Sequence, residues 1–131
     1  MTAARRRSLR VLLCDDSVEL RALLRSAIEV GRDVEIVGEV GDGDAAVQLA
    51  GDEQPDVVVL DLEMPGPDPE GLLTGLRRAA PNAALVTFSG HEPAAVAGGA
   101  VEEIALHVPK TTDLAAAARA VRELASSRLR A

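Results

Sequence analysis

Pro55-Asp56-Val57-Val58-Val59-Leu60-Asp61-Leu62-Glu63-Met64-Pro65 is the stretch on which the fold of this chain turns. Val57 to Leu60 is a β-branched run with no alternation of apolar and polar residues. Such a run makes a strand buried on both faces, at the centre of a parallel sheet. An acidic residue, Asp61, follows at once. Met64 to Gly71 is then a loop rich in Pro and Gly, and a helix runs from about Leu72 to Ala79.

Working outward, the same alternation of elements recurs. Val11 to Cys14 is a second unalternating apolar run, hence another buried strand. After it Leu20, Leu23, Leu24, Ala27 and Ile28 fall at helical spacing, with Ser17 as N-cap and Gly31 as stop. Val34 to Val37 is a strand. Ala45, Ala46, Leu49 and Ala50 mark a short helix, entered through Gly41-Asp42-Gly43-Asp44 and closed by Gly51. Beyond the central strand, Pro81-Asn82 turns the chain into a strand from Ala83 to Phe88. Ala94 to Ala97 is a short helix weakened by Gly98-Gly99, and Ile104 to Val108 is a fifth strand. Leu114, Ala117, Ala118, Val121, Leu124 and Ala125 make an amphipathic last helix capped by Thr111 or Thr112. Strand then helix, five times over, predicts a single α/β domain. Its fold is a doubly wound (βα)5 arrangement on a five-stranded parallel sheet, of the flavodoxin-like kind.

Composition limits the function. The 131 residues are 47% hydrophobic and carry a net charge of −7, which suits one domain and argues against nonspecific binding to nucleic acid or acidic membranes. With no Trp, no Tyr and one Phe there is no base-stacking platform. The single cysteine, Cys14, cannot pair within the chain, and no Cys/His cluster suggests zinc. No apolar run is long enough to span a bilayer. Arg5, Arg6, Arg7 and Arg10 precede an apolar stretch, but Arg10 interrupts it and no cleavage site follows. Residues 1–8 therefore read as a flexible basic arm, 9–127 as the domain and 128–131 as a tail, with a cytoplasmic location.

In an open parallel sheet, ligands bind at the carboxyl ends of the strands near a topological switch. There the predicted strands carry Asp15 and Asp16, then Asp61, then Ser89 with Thr87 two positions back, then Lys110. Of the 14 basic residues, Lys110 is the only lysine. Singly, each has a plainer explanation as a helix cap, a turn residue or a solvated charge. Together they put three carboxylates, a hydroxyl and an ammonium on one rim. Clustered carboxylates call for a cation, and oxygen ligands beside phosphate chemistry suit Mg²⁺. An Asp nucleophile could then accept a phosphoryl group.

Four segments in register, Val11-Leu-Leu-Cys-Asp-Asp16, Asp61-Leu-Glu-Met-Pro65, Ser89-Gly90 and Pro109-Lys110, resemble the response-regulator receiver domains of two-component signalling. The resemblance covers about Leu9 to Ser127. It implies that Asp61 takes a phosphoryl group from a phosphohistidine of a sensor histidine kinase or phosphotransfer protein. It implies that Asp16 and Asp61 ligate Mg²⁺ with the backbone carbonyl of Glu63, and that Asp15 acts through water. Lys110 would pair with Asp61 and then with the phosphoryl oxygens. Ser89, preferred over Thr87 because it stands last before Gly90, would bond a phosphoryl oxygen. The surface of the fourth helix, fifth strand and last helix would then switch for a downstream protein partner.

The chain departs from that family's pattern in several places. The switch position three before the lysine, usually Tyr or Phe, is His107; the bland alternative is a partly exposed histidine on a strand. Glu63 and His91 stand where the family tunes hydrolysis of the phosphoaspartate. Gly66-Pro67-Asp68-Pro69-Glu70 lengthens the loop after Asp61, and a tolerated surface insertion is the favoured explanation. Thr111 after Lys110 argues against a cis peptide there. The weak fourth helix predicts a mobile signalling face. Arg119, Arg122 and Arg128 offer a face for a partner or a homodimer, or simply a solvated one. Ser126 to Ala131 leave no room for a helix-turn-helix, so either a stand-alone receiver acting through proteins or a fragment of a longer protein is expected, without direct DNA binding. No enzyme activity beyond its own phosphorylation and dephosphorylation is expected. The alternatives are a degenerate receiver that binds a partner constitutively, and a Mg²⁺-dependent aspartyl-phosphate phosphohydrolase. For the latter, Glu63 stands where the hydrolase pattern Asp-x-Asp has its second acid.

Overall fold

The computed structural model describes residues 8–30 and 34–130. The elements run β1 (Leu9–Cys14), α1 (Val18–Ile28), β2 (Val34–Val40), α2 (Gly43–Glu53), β3 (Val57–Leu60), α3 (Pro69–Ala79), β4 (Ala84–Ser89), α4 (Pro93–Ala97), a 3-10 turn (Gly98–Glu103), β5 (Ile104–Pro109) and α5 (Leu114–Arg130). The sheet order is β2-β1-β3-β4-β5 with every pairing parallel. The order reverses between β1 and β3, and the crevice of the fold opens above their carboxyl ends. The expected fold is the observed one.

Both faces of the sheet are covered, which is why its inner strands read as continuous apolar runs. All four residues of β3 are buried. On one face Leu12, Val58, Leu60 and Leu85 pack with Ala46 and Ala50 of α2 and Leu72, Leu73 and Leu76 of α3. On the other Val11, Leu13, Val57, Val59 and Val86 pack with Leu24 and Ile28 of α1 and Ala117, Ala118 and Val121 of α5.

Several element boundaries differ from the sequence expectation, each for a local reason. Leu23, placed on the core face of α1 by its spacing, is 55% exposed, because Leu24 and Ile28 are the residues of that stripe that meet the sheet. Ser17 caps α1 as expected, whereas its predicted stop, Gly31, lies outside the described residues. β2 continues through Gly38 to Val40. The Leu49 side chain fills the space beside Gly38, with Cδ2 only 2.4 Å from where a Cβ would stand. Gly51 does not close α2. The helix runs on to Glu53, and Gln54 ends it in the left-handed conformation at φ 47°.

α3 starts at Pro69, earlier than expected, because Asp68 accepts from the Gly71 N–H and Pro69 is preorganised for the first turn. α5 is capped by Asp113 and not by Thr111 or Thr112: its carboxylate accepts from Ala116 N at 3.2 Å. The basic arm expected over residues 1–8 lies, except for Ser8, outside the described residues.

The weak fourth helix is there. α4 has five residues and no side-chain cap. Gly98, at φ 54°, breaks it into the 3-10 turn. Few hydrogen bonds and exposed backbone lower the local opening free energy. Amides of residues 93–103 are expected to exchange with deuterium well before those of β3 and α5. Protection across 93–103 equal to that of β3 would contradict this.

Candidate functional site

The rim is built from strand ends. β1 delivers Asp15, whose N–H donates to the Val40 carbonyl at 3.0 Å. Its Oδ1 accepts from Ser17 N at 2.8 Å, and Ser17 in turn caps α1 through Leu20 N. The start of α1 thus fixes a buried carboxylate, while its neighbour Asp16 stays exposed. β3 delivers Asp61, whose N–H donates to the Cys14 carbonyl at 2.9 Å. Asp61 is buried; its Oδ1 accepts from Glu63 N and its Oδ2 from Lys110 Nζ, both at 2.9 Å. Lys110 follows β5, held by its N–H to the Ser89 carbonyl at 3.1 Å. Its Nζ lies 3.3 Å from Asp15 Oδ2.

One ammonium therefore serves two buried carboxylates. Burial alone would lower the lysine's affinity for its proton, but the hydrogen bond and charge of Asp61, with Asp15 added, outweigh it and raise its pKa. Asp15 is pushed up from the ordinary carboxylate range, first by burial and further by the Asp61 charge. The Ser17 N–H and the Lys110 charge offset this only in part. Cys14 behind them is a core thiol whose pKa burial pushes up, which makes it inert as a nucleophile.

The residues fit a hard cation. One oxygen each from Asp15, Asp16 and Asp61 lie within 4.8 Å of one another. Asp15 Oδ2 is buried with no hydrogen-bond partner, its contact to Lys110 being an ion pair alone. Carboxylate donors, one of them open to solvent, suit Mg²⁺.

The two hydroxyls of β4 have separate engagements. Ser89 Oγ accepts only from His91 N, at 3.2 Å, within its own turn. Thr87 Oγ1 lies 2.7 Å from His107 Nδ1. His107 is a partly exposed histidine on β5, as the bland alternative has it, and is tied to a fully buried hydroxyl. At the mouth the His91 imidazole contacts the Glu63 carboxylate. The sequence marked both residues but not their contact. Its signal is positional, since each stands two residues past a strand-end side chain and bonds back to it through its N–H. Of the basic face of α5, Arg122 is tied to the sheet domain by donating to the Ala27 carbonyl at 2.9 Å. Arg119 is exposed, and the Arg128 side chain lies outside the described residues.

With this geometry in view the relatives are informative. The response regulator receiver domain family model matches residues 11–122, and the chain belongs to that family. A protein-glutamate methylesterase/protein-glutamine glutaminase of Myxococcus xanthus is 40% identical over 100 residues, 72% of this chain and 29% of that protein. The nitrate/nitrite response regulator NarL of Escherichia coli is 35% identical over 79 residues, 60% of this chain and 37% of that protein. The chain thus spans about a third of the length of these curated relatives. The response regulator domain of Thermotoga maritima CheB superposes with a TM-score of 0.79 at 26% identity, covering 95% of this chain and 98% of that one. The signal receiver domain of NarL from Mycobacterium tuberculosis does so with a TM-score of 0.81 at 28% identity, over 92% and 98%. Receiver domains generally bind Mg²⁺ through acidic residues and interact with histidine kinases or phosphotransfer proteins. No helix among the described residues is long and apolar enough to cross a membrane.

The raised pKa of Asp15 sets a sign. Its native state holds the proton more tightly than the unfolded chain does, so its ionisation above the native pKa costs stability. Asp15→Asn is expected to stabilise the metal-free protein at pH 7. The gain should shrink as pH falls through the raised native pKa. Urea unfolding at pH 7 and at pH 4 checks it; a loss of stability at pH 7 would contradict it.

Proposed function

We propose that this receiver domain is phosphorylated on Asp61, with a phosphohistidine of a sensor histidine kinase or phosphotransfer protein as donor. The observation that carries the proposal is the Asp61 carboxylate. It is buried at the end of β3, with one oxygen on a backbone N–H and the other on the only lysine of the chain, beside two further carboxylates. In the transfer an Asp61 oxygen bonds to phosphorus as the bond from phosphorus to the histidine nitrogen breaks. The electron pair leaves with the imidazole. Transfer of this kind depends on positioning and charge neutralisation more than on covalent help.

Lys110 remains protonated, as its raised pKa requires, and shifts its hydrogen bonds from the carboxylate to the phosphoryl oxygens. Ser89, whose hydroxyl is committed only to its own turn, donates to a phosphoryl oxygen. Asp16, Asp61 and the Glu63 carbonyl would hold Mg²⁺, with Asp15 acting through water. The bound cation supplies neutralisation of the incoming phosphoryl charge. Glu63 and His91 stand over the mouth, where they set the access of the water that hydrolyses the phosphoaspartate.

The switched surface is α4, β5 and α5, read by a downstream protein in the cytoplasm. His107 couples this surface to β4 through Thr87. A homodimer through the face of α5 that carries the exposed Arg119 is compatible with this arrangement. The chemistry is confined to the domain's own phosphorylation and dephosphorylation, without direct DNA binding. A constitutive binding module is the second reading, favoured by one observation: His107 is already engaged with a buried hydroxyl. A phosphohydrolase is disfavoured, because the Glu63 carboxylate is occupied by His91.

Intact mass after incubation with Mg²⁺ and a small acyl phosphate tests the proposal. The wild type is expected to gain one phosphoryl group, and to gain none without Mg²⁺. Asp61→Asn is expected to gain none under either condition. An equal gain in Asp61→Asn would overturn it by placing the acceptor at another residue, and no gain in a wild type shown to bind Mg²⁺ would overturn it in favour of the constitutive module.

A further inference from the structure

The turn between β2 and α2, Gly41-Asp42-Gly43, touches both loops that carry the acidic site. A Cβ on Gly41 would stand 3.7 Å from Asp16 Cα and 3.8 Å from the Asp15 carbonyl oxygen. The preceding residue, Val40, accepts the Asp15 N–H. On the other side Gly43 N donates to the Pro65 carbonyl at 2.8 Å. A Cβ on Gly43 would fall 3.0 Å from Pro67 Cδ and 3.5 Å from the Pro65 oxygen. Gly66 crosses at φ 116°, where its own Cβ would lie 3.1 Å from Gly43 N.

The segment Gly66-Pro67-Asp68-Pro69-Glu70 lies at the surface, with Gly66, Asp68 and Glu70 exposed, and is anchored at both ends. Met64 is buried in the core, Pro65 and Gly66 are seated on the first residue of α2, and Asp68 and Pro69 begin α3. Gly43 has no left-handed φ to require a glycine. Space favours it: a Cβ would stand 3.0 Å from Pro67 Cδ and 3.3 Å from Leu72 Cδ1, closer than ordinary contact, so a neighbour would have to give.

We infer that Gly43 is a positioning residue. By clamping the Pro65-Gly66-Pro67 segment against α2 it fixes where the Glu63 carbonyl stands relative to Asp15 and Asp16, and so sets the affinity of the site for a divalent cation. The inference rests on the metal reading given under Proposed function. An alanine is well tolerated at a helix start as far as backbone propensity goes. Its effect would therefore come from displacing the loop.

Calorimetric Mg²⁺ titration of the unphosphorylated full chain, beside metal-free thermal melts, tests this. Gly43→Ala is expected to weaken Mg²⁺ binding about tenfold, the order seen when groups that orient ligands are displaced. Gly43→Ala combined with Pro67→Ala, in which the added methyl fills the space of the lost ring, is expected to recover most of that loss. Unchanged binding in Gly43→Ala, or a loss that the second substitution does not recover, would overturn the clamp. No binding by the wild type would instead overturn the metal reading on which the clamp rests. Should Gly43→Ala fail to fold, Pro67→Ala alone carries the test. It opens the contact, and faster exchange of the Gly43 amide with weaker Mg²⁺ binding is expected. Wild-type values for both would overturn the inference.

Discussion

Lys110 Nζ stands 2.9 Å from Asp61 and 3.3 Å from Asp15, and the arrangement of the whole rim depends on that shared ammonium. Two buried carboxylates at the ends of adjacent strands repel each other, and neither can retreat into water. One lysine does not balance them, least of all with Asp16 alongside, so the site keeps a surplus of negative charge and an unbonded oxygen on Asp15. That surplus is what the proposed function uses: a cation would offset it, and a phosphoryl group would then be accepted beside the cation. The cost is offset by two apolar layers that hold β1 and β3 rigid from behind. Stability and function therefore pull in opposite directions at Asp15.

The signalling half of the molecule is built differently. β5 is an edge strand of mostly intermediate burial, α4 has only five residues, and Gly99 after it has open space where a side chain would stand. His107 takes the position where an aromatic ring would be expected, and it holds a polar partner, Thr87, where a ring would have only packing. On the function proposed above, coupling between site and surface would run along β4, in which Thr87 and Ser89 stand two residues apart on one face.

Much of this was legible in the sequence, for identifiable reasons. β3 and its acidic end could be read because a strand buried on both faces has no alternation to disguise it, and Asp61 and Asp15 each end such a strand, while Lys110 follows the edge strand β5. Ser17 was legible as a cap because side-chain capping is local chemistry. What depends on tertiary packing was not. The exposure of Leu23 follows from which turn of α1 meets the sheet, and its spacing is the same as that of a buried leucine. Gly51 looked like a stop, but nothing local ends α2 until Gln54. Asp113 competed with two threonines, and only backbone geometry decides among them. The Glu63–His91 contact and the seating of Pro65 on Gly43 join residues far apart in sequence, so no local pattern announces them.

On the proposed function the acidic rim is a phosphoacceptor site with Asp61 as its nucleophile. Borohydride reduction of the phosphorylated protein, followed by peptide mass spectrometry, tests it most directly, because an acyl phosphate is reduced to the alcohol while a free carboxylate is untouched. The expected result is a homoserine at position 61 alone, formed only after treatment with phosphodonor and Mg²⁺. Reduction at Asp15 or Asp16 in place of Asp61, or a phosphoryl group that resists borohydride, would contradict it.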